Sequence, residues 1–455
     1  MEEIEWLLQA RSNMEQPANL PATEYTPLNY SIIIYAKAAM SFNYLRAYLG
    51  DSLFDASMKE YYRKWSSQHP GPDDLRAAFE TTSDKDLTWF FSDLLGTVKR
   101  LDYKIISEDN GQLLVKNKGE LASPLIITGM NGDSVIFETW TDGFTGTRLI
   151  SLPATYYTEI KIDPTHVMPE LYRLNNNIRT SGIFRKYDPV RTQLLLSLIE
   201  DPDKRALIYI PMVNWNRENG FMAGVALHNG IIMPKPVEYL VMPFYGFKNS
   251  DLGGYGRIFF NIAPYDNLIR MATVTLEGSR FGAPGNQNYH TAKVGLTLFF
   301  RPVRMTNSLR HNIFANYIAA SDLAQIMQAE KAKMNSYLQF GYLLNKTGII
   351  NPFRLSASVE SGKVYRKTAV EFNYRLSYFG RSNGLDIRLF AGTMLRSASD
   401  APFYSLAAGG RSGGEQYLYG GTYPDRFSVF PQTMWSRQMT LNEGGLVSPV
   451  NDSLG

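Results

Sequence analysis

The sequence predicts a multidomain α + β protein in which a helical N-terminal part precedes two kinds of β structure. Apolar residues recur at helical spacing up to about residue 98, and from about residue 101 they alternate with polar residues instead. From about residue 206 the alternating segments lengthen to about ten residues each. We therefore expect the remnant of a helical bundle, a small antiparallel β domain and an antiparallel transmembrane-type β-barrel, which we expect to be incomplete.

The composition excludes several classes of function. The chain has 46 Lys and Arg against 43 Asp and Glu, so its net charge of +3 gives no reason to expect a nucleic-acid partner. It has no cysteine, which excludes disulfides and thiolate metal ligands. Aromatic residues make up 13% of the chain, and tyrosine is favoured on strands and at membrane–water interfaces. The composition therefore suits a β-rich membrane protein.

Residues from about 31 to 98 are predicted to be helical. The segment that begins "SIIIYAK" ends at Gly50, a suitable helix C-cap, and Asp51 is a candidate N-cap for the next helix. Pro72 begins a third helix, which has acidic residues in its first turn. The segment "DKDLTWFFSDLLG", which ends at Gly96, predicts a short amphipathic fourth helix. Together these segments predict a small helical bundle.

Residues 99–174 predict a small antiparallel β domain. Its strands are expected in "YKIIS", "GQLLVKNKG", "SPLIITGM", "SVIFETWTDG" and "TEIKIDP", which are separated by Gly, Asn and Asp turns. Residues 175–205 then predict a linker that contains one helix.

Residues 206–455 are predicted to form the β-barrel. About eleven alternating segments lie between 206 and 396, and in "AVEFNYRLSYF" and "LDIRLFAGTML" one face is apolar while the other carries charges such as those of Glu371 and Arg388. A soluble β-sandwich or a solenoid would alternate as well, but a length of about ten residues favours membrane-spanning strands. We expect "SDLAQIMQAEKAKM" to form a loop helix and residues 397–455 to form a long extracellular loop around a few strands.

The helical half resembles a known enzyme family. The stretch "YSIIIYAKAAMSFNYLRAYLGDSLFDASMKEYYRKW", followed by "DLTWFFSDLLGT", resembles the segment after the zinc site in aminopeptidase-N-like (gluzincin) zinc metallopeptidases. The later "VKRLDYKI", "VKNKGE" and "WTDG" resemble the β domain of large bacterial surface members of that family. The resemblance covers about residues 20–170. It implies that residues 1–98 are the C-terminal helical part of a catalytic domain.

The resemblance also implies a catalytic tyrosine. By motif position the second tyrosine of the stretch is Tyr35, which would donate a hydrogen bond to the oxyanion that forms when the scissile carbonyl is attacked. Tyrosine suits this role because its ring is rigid and its hydroxyl is a neutral donor. Tyr30 and Lys37 would be supporting residues around the cleft. Without the resemblance, the spacing alone favours a Tyr35 that packs at the start of a helix.

The chain departs from the family at the metal site. The family holds zinc with His-Glu-x-x-His and a further Glu, all of which precede the tyrosine. The five histidines here are not followed by Glu and no two are four residues apart: His69, His166, His228, His290 and His311. We therefore expect zinc in the intact protein but none bound by this chain, which should have little or no peptidase activity alone.

Two functions from different classes follow from these features. The first is the C-terminal part of an outer-membrane or cell-surface zinc aminopeptidase that cleaves peptide substrates, with a signal peptide and zinc motif expected upstream. The alternative is a non-enzymatic outer-membrane channel or assembly protein with a peptidase-like binding module. A soluble β-rich adhesin is a third possibility. The first two imply outer-membrane lipid as a partner, and none implies nucleic acid.

Overall fold

A computed structural model gives the structure of the protein. It describes residues 2–183, 185–186, 188–194, 201–216, 218–230, 233–283, 285–321, 325, 333–363, 365–378, 383–397, 439–441 and 447–449. The chain divides into two compact units, one of Met1–Arg191 with Leu198–Ala206 and one of Thr192–Ser197 with Leu207–Gly455. The structure is mostly β with a smaller helical part, as the multidomain α + β prediction requires.

No helix in the described residues is long and apolar enough to cross a membrane.

The helices named here all belong to the first unit. They are α1 (Glu2–Arg11), α2 (Pro27–Ser31), α3 (Ala38–Leu49), α4 (Asp51–Trp65) and α5 (Pro72–Ser83), with a 3-10 turn at Ala22–Glu24 and π-helical segments at Ile32–Lys37 and Trp89–Leu95. The sequence did not predict α1. The predicted fourth helix is present as the second π-helical segment.

The helix ends follow the sequence signals with one exception. Gly50 has a φ of 79°, a conformation that favours glycine, and it ends α3 as predicted. Gly50 also precedes the first residue of α4, so the prediction that Asp51 is the N-cap is wrong. Asp51 is instead the first residue of α4, and its carboxylate accepts a hydrogen bond from Arg46 at 2.7 Å. Pro72 begins α5, as its fixed φ favours.

Two small antiparallel sheets complete the first unit. Strands β1 (Tyr103–Asp109), β2 (Gln112–Asn117) and β5 (Thr147–Ser151) form one sheet in the order β1-β2-β5. Strands β3 (Leu125–Asn131), β4 (Ser134–Thr141), β6 (Glu159–Ile162) and β7 (Asn177–Arg179) form the other in the order β4-β3-β6-β7. Every predicted strand of this region is present, whereas the sequence did not predict β5.

The helices and sheets of the first unit share one hydrophobic core. Tyr44, Phe79 and Phe90 from the helical part belong to the same buried cluster as Ile127 and Ile160 from the strands. The hydroxyl of Tyr44, a fully buried member of this cluster, donates to the carbonyl of Pro124. The core therefore anchors the helix that follows the first π-helical segment, and fixes its position relative to the sheets.

The predicted linker at 175–205 contains strands in the part that the structure describes. Besides β7, strand β8 (Val190–Leu194) lies here and forms one end of the large sheet of the second unit. The described residues of the linker include no helix, and residues 195–200 lie outside them. The predicted helix is therefore absent from the described residues of the linker.

The second unit is built around one antiparallel sheet of twelve strands in the order β19 to β8. After β8 its strands are β9 (Arg205–Asn216), β10 (Gly220–His228), β11 (Val237–Gly246), β12 (Asp251–Ile262), β13 (Ile269–Ala283), β14 (Gln287–Phe300), β15 (Leu309–Ser321), β16 (Met334–Lys346), β17 (Phe353–Gly362), β18 (Tyr365–Ser377) and β19 (Gly384–Ser397). Each strand from β9 onward pairs with its neighbour in the sequence. The prediction of about eleven long strands between 206 and 396 is confirmed.

The register places apolar side chains on one face across the whole sheet. Phe372 of β18 is directly opposite Leu389 of β19, and Val294 of β14 is opposite Leu276 of β13. Side chains that are directly opposite share a face. All exposed large apolar residues of β9–β19 lie on this face, here called the apolar face; they include Val213, Phe221, Val241, Leu252, Val294, Leu296, Tyr317, Leu338, Phe340, Val370, Leu385 and Leu389.

The other face, here called the polar face, carries most of the ionic side chains of the sheet. Lys293 and Glu277 form an ion pair of 2.8 Å on this face, and Asn316 donates to Gln339 at 2.9 Å. In the described residues, no pairing joins the end strands β8 and β19. Of residues 398–455, the structure describes β20 (Met439–Leu441) and β21 (Val447–Pro449), which pair with each other; the predicted extracellular loop otherwise lies outside the described residues.

Candidate functional site

The candidate tyrosines lie on a helix that is interrupted by a π-helical turn. Thr26 caps α2 by accepting a hydrogen bond from the Asn29 amide at 3.1 Å, and Pro27 supplies the fixed φ of the first helical position. The Ala38 amide then bonds to the carbonyl of Ile33, five residues earlier, which is the π-helical pattern. Such turns occur frequently at functional sites because the extra residue redirects the side chains that follow.

The structure brings Tyr30 and Tyr35 together. Their ring centroids are 6.5 Å apart in an edge-to-face arrangement. The side chain of Tyr35 is 64% exposed and that of Tyr30 is 42% exposed, which is unusual for adjacent aromatic residues in the middle of a helix. Among the described residues, none makes a hydrogen bond with the Tyr35 hydroxyl. This hydroxyl is therefore available to a ligand as a donor.

A third tyrosine that the sequence did not single out supports this pair. Tyr25 lies 6.1 Å from Tyr30, again edge to face, and it is buried. Its hydroxyl donates to the Pro17 carbonyl at 2.7 Å and accepts from the Leu20 amide at 3.2 Å. Burial raises the pKa of Tyr25, so this hydroxyl is a stable neutral donor. Tyr25 thus fixes the position of the Tyr30 ring, which in turn packs against Tyr35.

Lys37 lies in a different environment from the tyrosines. Its side chain is only 1% exposed, and its ammonium group forms an ion pair with the Glu15 carboxylate at 2.5 Å. It also donates to the Thr97 carbonyl at 3.3 Å, while Glu15 accepts from the Trp6 indole at 3.3 Å. These contacts hold three separate segments of the first unit together. They provide a structural reason for a lysine at this position, because a buried charge requires a partner.

A buried charge cluster lies elsewhere in the first unit. Arg173 donates to the Asp163 carboxylate at 2.7 Å, and Glu170 accepts from the Tyr103 amide at 2.7 Å and from the Asn176 side chain. Burial raises the pKa of Glu170 to about 8, although the positive charge of Arg173 opposes the shift. Burial likewise raises the pKa of Asp163.

This cluster links the N-terminal helix to the β structure. Arg173 also contacts the Glu3 carboxylate of α1 at 3.3 Å, and Arg11 of α1 donates to the Leu171 carbonyl at 2.8 Å. The segment "DPTHVMPELYR" carries these charges, but it reads as an ordinary polar turn because nothing in its pattern predicts their burial. Burial of such residues depends on the surrounding fold, which sequence reasoning could not supply.

The described histidines do not provide a zinc site. His166 is 3.3 Å from Asp203, His311 stacks on Phe300 at 4.7 Å between ring centroids, and His228 accepts from the Gly230 amide at 3.1 Å. Within the part of the chain that the structure describes, no three His, Asp or Glu residues are grouped closely enough to hold a metal ion. The described residues therefore do not fit the zinc that the family resemblance implies.

The structure assembles a site around the exposed phenol of Tyr35. The rings of Tyr30 and Tyr25 support it, and the buried ion pair of Lys37 with Glu15 holds the same helix in place. This site can donate one hydrogen bond to an oxygen of a ligand and offer aromatic edges to its apolar part. In comparisons with known proteins, no family model matches this chain and no curated protein sequence shows significant similarity to it.

Proposed function

We propose that this chain is the C-terminal part of a bacterial surface aminopeptidase-like protein whose large sheet spans the outer membrane. The observation that carries the membrane part is the exposed apolar face that continues across β9–β19. Monomeric soluble proteins rarely expose contiguous apolar patches of more than a few hundred Å². A membrane-embedded sheet exposes such a face to lipid, and the charged residues on its other face meet water.

The distribution of charge along the strands supports this proposal. On β13–β19 every charged residue of the apolar face stands within the first or last four residues of its strand: Arg280, Lys346, Arg366 and Arg396. On the apolar face of β16, the polar residues Ser336 and Lys346 bound a stretch of Leu, Phe and Tyr side chains about 33 Å long along the strand. With a tilt of about 45°, such a stretch covers about 23 Å of membrane thickness, close to the apolar band of known membrane barrels.

Aromatic residues at one end of the strands agree with this placement. On the apolar face Phe353 and Phe372 are 5.9 Å apart, and Phe372 stacks with Tyr374 at 6.1 Å. Lys346 is directly opposite Phe353, so a cation stands at the same level as the aromatic rings. Aromatic rings and basic side chains are both favoured where hydrocarbon meets the polar head groups. The closure of the sheet into a barrel is part of this proposal.

Membrane insertion is tested by detergent partitioning of the purified chain. We expect the chain to enter the detergent phase and to migrate differently on electrophoresis before and after heating, as membrane barrels do. A chain that stays in the aqueous phase and migrates identically in both cases would show that the soluble adhesin is the correct class.

The peptidase part of the proposal assigns Tyr35 as the oxyanion donor. Its exposed hydroxyl would donate to the developing negative charge on the scissile carbonyl oxygen, while Tyr30 holds the ring in place. The buried Lys37 would position the helix through Glu15 and would not contact the substrate. Because the described residues do not fit a zinc site, the metal ligands and the general base would be supplied by residues that precede Tyr30 in the intact protein.

Hydrolysis of aminoacyl p-nitroanilides tests the enzymatic assignment. The purified chain should show no turnover and no stoichiometric zinc, and one bound zinc per chain with turnover would contradict the assignment of the metal site to upstream residues. The genomic sequence before the codon of Met1 provides the matching test. An in-frame His-Glu-x-x-His supports the peptidase, and in a protein that contains it Tyr35→Phe should lower kcat more than it raises KM.

The second candidate is a non-enzymatic outer-membrane channel or assembly protein in which the tyrosine surface binds peptides without cleaving them. The exposed Tyr35 ring, with Tyr30 beside it, supports this candidate because such a surface can bind a peptide without a metal. If translation starts at Met1 and no zinc motif is encoded in frame before it, this second candidate is the correct one. Binding of peptides that Tyr35→Ala weakens, without hydrolysis of any of them, would be the corresponding biochemical result.

A further inference from the structure

A row of alternating arginine and asparagine residues crosses five strands on the polar face. The register places these residues directly opposite one another in turn: Arg310 of β15, Asn345 of β16, Arg354 of β17, Asn373 of β18 and Arg388 of β19. This row is here called the arginine–asparagine ladder. Since neighbouring strands are about 4.8 Å apart, its three guanidinium groups originate about 10 Å from one another along a line of about 19 Å.

Two of the three arginines have partners that explain their presence. Arg310 donates to the carbonyls of Leu309 at 3.0 Å and Met305 at 3.1 Å, so it holds the loop before its strand. Arg388 donates to the Glu371 carboxylate at 2.9 Å. Arginine commonly makes contacts of both kinds for structural reasons. The acceptors of Arg310 are carbonyl oxygens, so these contacts do not neutralise its charge.

Arg354, at the centre of the ladder, makes no direct contact of this kind. Its side chain is exposed, and among the described residues it makes no hydrogen bond or ion pair. Asn345 on one side has no hydrogen-bonding partner there either, and Asn373 on the other side donates one bond to Glu371 at 2.7 Å. The charge of Arg354 acts electrostatically on Glu371, but the described residues leave its N–H donors without acceptors, so the centre of the ladder presents an exposed planar guanidinium between two amide side chains.

The charge around the ladder is positive. On the polar face, Glu371 lies next to the ladder. One row further along, Arg375 forms an ion pair with Asp386 at 3.2 Å. Four arginines thus face two carboxylates in this area. Like charges on one face of a sheet repel one another, so this arrangement costs stability unless a ligand or solvent ions neutralise it. Arginine forks and amide N–H groups are suitable donors to phosphate and carboxylate oxygens.

We propose that the arginine–asparagine ladder binds a soluble anion that carries two or more phosphate groups, with Arg354 as the principal contact. This inference rests on the proposed function, because the polar face must meet water within the membrane-spanning sheet. It deepens that function by giving the polar face a ligand. Rings of arginine or lysine select anions in membrane pores, so the ladder would favour anions over cations along this face.

Calorimetric titration of the detergent-purified full chain with tripolyphosphate at low ionic strength tests the proposal. The unmodified chain should bind tripolyphosphate, and added salt should weaken the binding. Arg354→Gln should weaken it by about tenfold or more, because a charge-assisted hydrogen bond is lost. Arg354→Lys should cause a smaller loss, because it keeps the charge but lacks the planar fork.

The matched control is Arg366→Gln. Arg366 is an exposed arginine on the same strand as Asn373, but it lies on the apolar face and about 23 Å along the strand, where it donates to Ser361 at 3.3 Å. Its replacement removes the same charge and should leave the affinity unchanged. The ladder would be excluded if the unmodified chain failed to bind tripolyphosphate, or if Arg354→Gln and Arg366→Gln weakened binding equally.

Two further measurements separate this inference from the proposed function and from lipid binding. A chain that stays out of detergent but binds tripolyphosphate through Arg354 would refute the membrane anchor and retain the ladder. A chain in the detergent phase that does not bind would refute the ladder alone. If phosphatidylglycerol nanodiscs, but not phosphatidylcholine nanodiscs, abolish the contribution of Arg354, the phosphate belongs to lipid, and the assignment of a soluble anion is wrong.

Discussion

The two units distribute polar and apolar side chains in opposite ways. The first unit buries ionisable groups, including Glu170 and Asp163, beneath strands whose apolar residues also face inward. The second unit exposes apolar side chains such as Val213, which is 71% exposed, on one entire face of its sheet. Strands with period-two alternation occur in both units, so the alternation does not reveal the medium that each face meets.

The difference shows which properties separate a sheet that is covered by a domain core from a sheet with an exposed apolar face. In the first unit short strands are covered by helices, and their apolar residues contact one another. In the second unit strands β9 to β19 are nine to fifteen residues long, and no described element covers their apolar face. Strand length and the position of charges near strand ends therefore distinguish the two cases better than hydrophobicity does.

The largest expected effect is the change with pH in the free energy of unfolding of the first unit. Burial raises the pKa of Glu170 from 4.5 to about 8, so the folded state holds a proton that the unfolded state releases in this range. Stability should therefore fall as the pH rises from about 4.5 to about 8, by up to about 1.4 kcal/mol per pH unit. Denaturant unfolding at several pH values measures this slope.

The variant Glu170→Gln should flatten that slope, because glutamine stays neutral at every pH. The exposed Glu138 offers the control, since Glu138→Gln removes a carboxylate from the surface of the same unit and should leave the slope unchanged. An equal slope in the Glu170→Gln variant would show that another group carries the pH dependence, and Asp163 would be the next to replace.

A charge placed on the apolar face gives the next largest effect. Val294 lies near the middle of β14 and is exposed, so Val294→Arg should lower the free energy of unfolding in lipid by about 2–4 kcal/mol. Thr297→Arg, on the polar face of the same strand, is the control and should cost much less. Equal and small losses for both variants in urea titrations would mean that the apolar face meets water.

The smallest effect is expected for an ion pair on the polar face. Arg375 contacts Asp386 at 3.2 Å, and both side chains are more than a third exposed. Asp386→Asn should change the free energy of unfolding by less than about 1 kcal/mol, because water screens exposed pairs. A loss of several kcal/mol in the same urea titrations would instead indicate a dry environment and would contradict a water-filled polar face.

The fold could be predicted from the sequence wherever the local signal was sufficient. Helical spacing predicted α3 to α5, and period-two alternation predicted the eleven long strands and the faces of Phe372 and Leu389. Helix α1 was missed because its short sequence shows little amphipathic spacing. Asp51 was wrongly predicted as a helix cap because Gly50 is both the C-cap of α3 and the N-cap of α4. This double role depends on the backbone conformation of Gly50.

The candidate site could be predicted only in part. The sequence singled out Tyr30 and Tyr35, which the structure places in contact. It could not reveal that Lys37 is buried against Glu15, because these residues are distant in sequence and meet only through the fold. The arginine–asparagine ladder was missed for a similar reason: its five members come from five strands, and only the register aligns them.

The connectivity of the large sheet has a consequence for how it forms. Because each strand from β9 to β19 pairs with the strand next to it in sequence, every pairing closes a short segment of chain. The loop-closure entropy of each step is therefore small, and the sheet can grow by one hairpin at a time. At each step the last strand added offers an unpaired edge to the next one, so the sheet can assemble in sequence order, strand by strand, as the chain becomes available.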